Sequence, residues 1–330
     1  MDVAILDDYQ AVAQQMADWS QLPSGINVQF FHDHIADEDQ LVERLKNFQV
    51  VMGMRERTPF PHSVLERLPE LRLLVTAGMG NAVFDIPSAT ELGIVVSGTG
   101  GVGEGPTELT WGLILALVRR IPQEDRLTRE GHWGTTVGFG LKEKTLGLLG
   151  LGHIGSLVAR VGTAFGMNII AWSQNLTLER AAECGATLVD KDTLFKDSDL
   201  VSVHVQLSDR TRGLVGAREL SLMKPTAYLI NISRGPIVDE ASMIQALTSG
   251  AIAGAGLDTF DIEPLPPNHP LLGLSNTVLT PHLGYVTEDG YRVRYTQVVE
   301  NIRAFTSGES IRVLNPQVLE SPQLRGPAQR

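Results

Sequence analysis

Three residues at the ends of apolar runs could carry chemistry: Arg234 in Asn231-Ile232-Ser233-Arg234-Gly235, Glu263 in the run from Leu257 to Pro264, and His282 in Thr280-Pro281-His282-Leu283-Gly284. An arginine fork makes two parallel hydrogen bonds to a carboxylate or an α-keto acid, which lysine cannot match. From position alone, Arg234 could equally be a surface residue paired with Asp239 or Glu240. Glu263 precedes Pro264 and so takes an extended or turn conformation. Its alternative role is that of a solvated loop acid. Asp258, Asp261 and Glu263 could gather a metal, but no histidine adjoins them at ligand spacing, and no metal is expected. His282 is held between proline and glycine, and an ordinary histidine, with a pKa of about 6.5, exchanges a proton near neutrality. Together the three fit hydride transfer on a 2-hydroxy acid. Arginine anchors the carboxylate, histidine takes the hydroxyl proton, and glutamate orients and charge-balances the histidine.

A hydride needs a carrier, and the stretch KTLGLLGLGHIGSLVA (residues 144–159) offers a place for one. A short apolar strand runs into Gly150-x-Gly152-x-x-Gly155, with His153 and Ile154 inside the motif. Gly150 allows the tight strand-to-helix turn. Gly152 lets backbone approach a pyrophosphate, and Gly155 lets the next helix pack against the sheet. The helix N-terminus then presents N–H groups and partial positive charge to phosphates. The competing reading is a tight βα turn, since 33 glycines in 330 residues give chance matches. His204, in VSVHVQL, ends a strand and reads as a core or adenine-rim residue.

These residues must be positioned by α/β units. Residues 1–99 alternate β-rich runs (Val3–Leu6, Val28–Phe31, Val50–Met52, Leu73–Thr76, Ile94–Ser97) with helical patterns such as 38–46 and 63–68. Gly98 to Gly105 is glycine-dense and reads as a hinge or ligand-facing loop, followed by an apolar helix over 106–120. From Thr145 a second series predicts strands at 146–149, 168–172, 200–205, 227–232, 253–258 and 277–279, which implies a parallel, doubly wound sheet. The expected fold is α/β with two Rossmann-like or flavodoxin-like domains. Residues 1–99 plus about 290–330 form a discontinuous substrate domain, and 100–289 form the dinucleotide-binding domain. A helix over 288–306 returns the chain to the first domain, and the polar stretch after Leu314 reads as a loose tail.

The bulk numbers exclude several classes. Hydrophobic residues make up 43% and charged residues 20%, as in an ordinary globular protein, and a net charge of −11 argues against nucleic acid. No apolar run is long enough to span a membrane, and the acidic start MDVAILDD is no signal peptide. Cys184 is the single cysteine, which excludes an internal disulfide and fits a cytoplasmic protein.

The segments LGLLGLGHIG, HVQLSDRTRGLVG, INISRGPIVDE, GAGLDTFDIEPLP and LTPHLGYVT resemble the D-isomer-specific 2-hydroxyacid dehydrogenases, and TAGMGNAVFDIPSA resembles that family's substrate-side glycine loop. The resemblance covers nearly the whole chain. It implies Arg234 as substrate anchor, Glu263 as the histidine's partner and His282 as general acid/base. It further implies a substrate contact at Gly78, Met79, Gly80 and Asn81, with Arg55 facing the substrate. Gly150, Gly152, His153, Ile154, Gly155, Ser173, Gln174, His204, Val205, Ile232, Ser233, Asp258 and Gly284 fall to the cofactor, Asp258 near the nicotinamide carboxamide. The sequence departs from the NAD-binding pattern at Trp172-Ser173-Gln174-Asn175, where no acid stands ready for the ribose 2′-hydroxyl and no arginine follows the serine. NAD and NADP both stay open, with Arg180 within reach of a 2′-phosphate. Tyr285 replaces the small residue common after His-x-Gly. The expected partner is a small 2-keto or 2-hydroxy acid of D configuration. The expected assembly is a homodimer through the 106–120 helix and an arm over 128–140. Alternatives are a phosphoglycerate-type dehydrogenase, with Arg55 and Arg57 as extra cations, and a dinucleotide-sensing co-repressor-like binding protein. The regulatory C-terminal domain of many phosphoglycerate dehydrogenases is not expected here, which counts against that substrate.

Overall fold

The computed structural model describes residues 1–101 and 103–327, and the chain divides into two compact units. The first is Met1–Val102 with Thr287–Arg330, and the second is Gly103–Val286. In the first unit, β1 (Asp2–Ile5), β2 (Asn27–Phe30), β3 (Val50–Gly53), β4 (Leu73–Thr76) and β5 (Val95–Gly98) form one parallel sheet in the order β2-β1-β3-β4-β5. This is the flavodoxin-like order. Every residue of β3, β4 and β5 is buried, which explains why they read as unbroken apolar runs without alternation.

In the second unit, seven parallel strands follow: β6 (Thr145–Leu149), β7 (Asn168–Trp172), β8 (Thr187–Leu188), β9 (Leu200–Val203), β10 (Tyr228–Asn231), β11 (Gly254–Leu257) and β12 (Thr277–Leu279). Their order is β12-β11-β10-β9-β6-β7-β8. The chain winds outward through β7 and β8, then returns to place β9 on the other side of β6. The β6/β9 boundary is therefore the switch point at which α/β sheets bind ligands beyond the carboxyl ends of their strands. One core of this unit packs Trp111, Ile114, Leu146, Leu148 and Val158, and a second packs Phe195, Val203, Leu229, Ile237 and Leu257.

Several expectations need correction. The two-residue strand β8 and the polar helix Ile121–Arg129 lacked an apolar pattern to announce them. His34 and His269 are largely covered and sit 3.0 Å from Asp7 and Glu240. The tail is not loose as far as Arg325. Asn315 is fully buried, its Oδ1 accepting from the Val96 amide at 2.9 Å and its Nδ2 donating to the Ile94 carbonyl at 3.0 Å. Arg325 donates to the Leu68 and Leu71 carbonyls at 2.9 and 3.0 Å. Polar residues dock here by satisfying strand-end carbonyls and amides, which composition cannot show. The last three residues of that tail, and Val102 of the 98–105 loop, lie outside the described residues. No helix among the described residues is long and apolar enough to cross a membrane.

Candidate active site

The glycine turn closes β6. Gly150 has φ +104°, a left-handed value that favours glycine, and a Cβ there would meet the His204 carbonyl carbon at 2.8 Å. A Cβ on Gly155 would lie 2.3 Å from the Gly150 carbonyl oxygen, so the helix His153–Ala164 can start this close to the turn only from glycine. Gly152 caps that helix without a side chain and has nothing within 4 Å of where its Cβ would stand. The first-turn amides are thus free of any side-chain cap, and the turn's face is open, as a pyrophosphate requires. Beside it lies a cavity of about 460 Å³ whose lining includes Gly152, Ser173, Arg180, His204, Val205 and Arg210. These residues fit a nicotinamide dinucleotide. His204 Nε2 lies 2.8 Å from Ser202 Oγ, while Nδ1 is buried with no hydrogen-bond partner among the described residues. Burial lowers the His204 pKa to about 4, so the ring is neutral.

Arg234, Glu263 and His282 follow three neighbouring strands, β10, β11 and β12. His282 Nδ1 lies 2.6 Å from Glu263 Oε2, and Glu263 Oε1 accepts from the Phe260 amide at 2.9 Å. With Nδ1–H donated to the carboxylate, Nε2 is the nitrogen available for proton exchange. His282 has φ +52°, rare for a residue with a side chain, and the turn is over-determined by Asp258. That carboxylate, fully buried at the end of β11, accepts from Thr280 Oγ1 at 2.6 Å, the Leu283 amide at 2.7 Å and the Gly284 amide at 2.8 Å. Burial pushes the Asp258 carboxyl above its ordinary value, against the three donors that favour its charged form.

Arg234 leaves β10 in extended conformation, with Nη1 donating to the Ser233 carbonyl at 2.7 Å. The next residue ties its loop to that of Glu263: a Cβ on Gly235 would sit 2.1 Å from the Phe260 carbonyl carbon. Ser233 Oγ donates to the Val205 carbonyl, linking this loop to the one after β9. Glu240 Oε1 lies 3.0 Å from His269 Nε2.

In the first unit, Arg55 and the Gly78–Asn81 turn come together. Arg55 has φ +56° and Gly78 has φ +112°. Arg55 Nη1 donates to the Ala77 carbonyl at 3.3 Å, and a Cβ on Gly78 would stand 2.4 Å from that nitrogen. The Asn81 side chain is spent within the chain: Nδ2 donates to the Arg55 carbonyl at 2.7 Å and to Thr76 Oγ1 at 2.9 Å, and Oδ1 accepts from the Val83 amide. Asn81 therefore fixes the backbone of Arg55. Met79 is 58% exposed.

Gln174 is exposed and outside the cavity's lining, whereas Asn175 lines it. Ile154 and Ile232 pack against the core. Leu207, Ser208 and Arg210 line the cavity without having been singled out. Their loop carries no glycine signature, and only the fold brings it beside the turn.

Comparison with known proteins assigns this architecture to a class. The sequence model of the D-isomer specific 2-hydroxyacid dehydrogenase, NAD binding domain, matches residues 111–284. A glyoxylate reductase of Aeropyrum pernix is 42% identical over 74% of this chain and 76% of its own. A D-3-phosphoglycerate dehydrogenase of Methanocaldococcus jannaschii is 37% identical over 82% of this chain and 52% of its own. A crystal structure of phosphoglycerate oxidoreductase from Vibrio cholerae superposes with a TM-score of 0.89 at 36% identity, covering 93% of this chain and 99% of that one. The chain belongs to the D-isomer-specific 2-hydroxyacid dehydrogenase family. It is an oxidoreductase that moves a hydride between a nicotinamide dinucleotide and a small 2-keto or 2-hydroxy acid.

Proposed function

We propose that this enzyme acts on a small, unphosphorylated 2-keto acid of the glyoxylate class and its D-2-hydroxy acid, with NAD or NADP as cofactor. The observation that carries this reading is the 2.6 Å contact of His282 with Glu263, on a loop packed against that of Arg234. A nicotinamide dinucleotide bound at the glycine turn would supply the hydride for this chemistry. Arg234 holds the substrate carboxylate with its fork. His282 Nε2–H gives its proton to the carbonyl oxygen, and in the reverse direction neutral Nε2 takes the hydroxyl proton. Glu263 keeps Nδ1 protonated and stabilises the imidazolium. Arg55 and the Gly78–Asn81 turn are assigned as further substrate contacts, and Asp258 holds the His282 turn beside the nicotinamide end. The lack of a phosphate on the substrate is supported by Arg57. It is buried, donates to the Asp7 carbonyl at 2.8 Å and lies 4.4 Å from the Tyr9 ring centre, which leaves it poorly placed as a second anion site.

Following reduced-nicotinamide absorbance with a panel of 2-keto acids tests this. Turnover of glyoxylate-class acids is expected, and no turnover with any keto acid sinks the reading. Arg234→Lys should raise KM for the keto acid by about tenfold or more, because a point charge replaces a fork. We also propose a homodimer through the second unit, supported by Trp133 and Val137, which are 89% and 92% exposed. A monomer mass in sedimentation would count against it.

A further inference from the structure

The cavity beside the glycine turn is lined by two cations, Arg180 and Arg210, in a chain of net charge −11. Arg180 reaches it from the helix Leu178–Glu183 after β7, and Arg210 from the loop after β9, the two strands that flank β6. Among the described residues lining it there is no aspartate or glutamate, while Ser173 and Asn175 add uncharged donors. A ribose 2′-hydroxyl is selected by a carboxylate acceptor, and a 2′-phosphate by arginine. The turn that carries Arg210 is fixed: the Ser208 amide donates to Thr211 Oγ1 at 2.7 Å, and the Arg212 amide donates to the Ser208 carbonyl at 2.9 Å. Arg180 Nη1 meets Glu183 Oε2 at 3.3 Å in a half-exposed pair, a weak competitor for a dianion.

We propose that this cavity binds the 2′-phosphate of NADP between Arg180 and Arg210, making NADPH the preferred cofactor. The assignment rests on the oxidoreductase reading and narrows its cofactor. It replaces the missing arginine after Ser173 by two cations arriving from other elements.

Calorimetry with 2′,5′-ADP and 5′-AMP tests it without turnover. The purified enzyme is expected to bind 2′,5′-ADP at least about tenfold tighter, on the order of one charge-assisted hydrogen bond. In the double variant Arg180→Gln, Arg210→Gln that preference should vanish while 5′-AMP affinity stays within about threefold. Retained 5′-AMP binding shows that the variant is folded. Should it not fold, Arg210→Gln alone is expected to lose about half the preference on a logarithmic scale. Equal or tighter binding of 5′-AMP by the wild type overturns the proposal, as does a preference that survives both substitutions. Turnover of a keto acid with NADH but not NADPH would overturn it and leave the oxidoreductase reading intact. Binding of neither nucleotide would refute both.

Discussion

Replacing Glu263 by glutamine changes no shape and exposes what the carboxylate does. Its two oxygens accept from two N–H groups, the Phe260 amide at 2.9 Å and His282 Nδ1 at 2.6 Å. Glutamine has one oxygen. If that oxygen faces His282, the amide NH2 meets the Phe260 N–H, donor against donor. If it faces Phe260, the NH2 donates to Nδ1, and the histidine is held in the tautomer with its hydrogen on Nε2. That tautomer cannot accept a proton from a hydroxy acid, and its imidazolium would again face a donor. Either arrangement removes one charge-assisted hydrogen bond, about 1.5–3 kcal/mol. The pair is 12% and 25% exposed, so solvent screens it little. Glu263→Gln is therefore expected to lower kcat roughly tenfold to a hundredfold in both directions, with cofactor affinity unchanged. Stopped-flow measurement of kcat with saturating dinucleotide, for keto-acid reduction and hydroxy-acid oxidation, reads this directly. A kcat within about twofold of wild type in both directions would refute the role given to the pair.

Two further outcomes are expected. His204 has a folded pKa near 4 against about 6.5 unfolded, so below pH 6.5 the unfolded chain binds a proton that the folded one refuses. Stability falls as pH drops from 6.5 toward 4, by about 1–2 kcal/mol at pH 5, for a residue whose Nδ1 is buried while the side chain as a whole is half-buried. In denaturant melts His204→Gln should flatten this slope, and an unchanged slope would assign the acid sensitivity to other groups. Gly78→Ala places a Cβ 2.4 Å from Arg55 Nη1 at φ +112°. It should raise KM for the keto acid about tenfold, the left-handed strain alone costing about 1–2 kcal/mol. Unaltered KM would remove Arg55 and this turn from the substrate contacts.

The strands were legible because they are short apolar runs bounded by glycine and polar residues, as at Leu73–Thr76 and Leu200–Val203. The α/β class followed from their alternation with helices. What no local window contains is adjacency. That Arg234, Glu263 and His282 follow neighbouring strands depends on the crossover order of the sheet. The left-handed backbones of Arg55 and His282 were equally hidden, since both are imposed by partners distant in sequence. Asp258 reads as one acid among three, and only the fold shows it saturated by its neighbour's turn. Arg210 lay in a polar loop with no periodicity. Asn315 and Arg325 escape a reading by composition for the complementary reason: polar residues are mostly exposed, and these are not.

The first unit is interrupted by all of the second, and this fixes an order of assembly during synthesis. The edge strand β5 is completed only by residues that emerge late: Ser97 bridges Val313, Val96 donates to Asn315, and the Gly98 carbonyl accepts from Asn301. Between Val102 and Thr287 the ribosome must add Gly103–Val286. At about 5–20 residues per second that delay is roughly ten to forty seconds. The second unit, contiguous in the chain, can close its seven-stranded sheet within that interval, while β5 waits with an unpaired edge, a surface prone to foreign strand pairing. Nascent chains arrested once Val286 has cleared the ribosome exit tunnel should thus show a protease-resistant Gly103–Val286 core and a cleavable N-terminal unit. Equal resistance of both would mean that the first sheet is stable before its last partner is made.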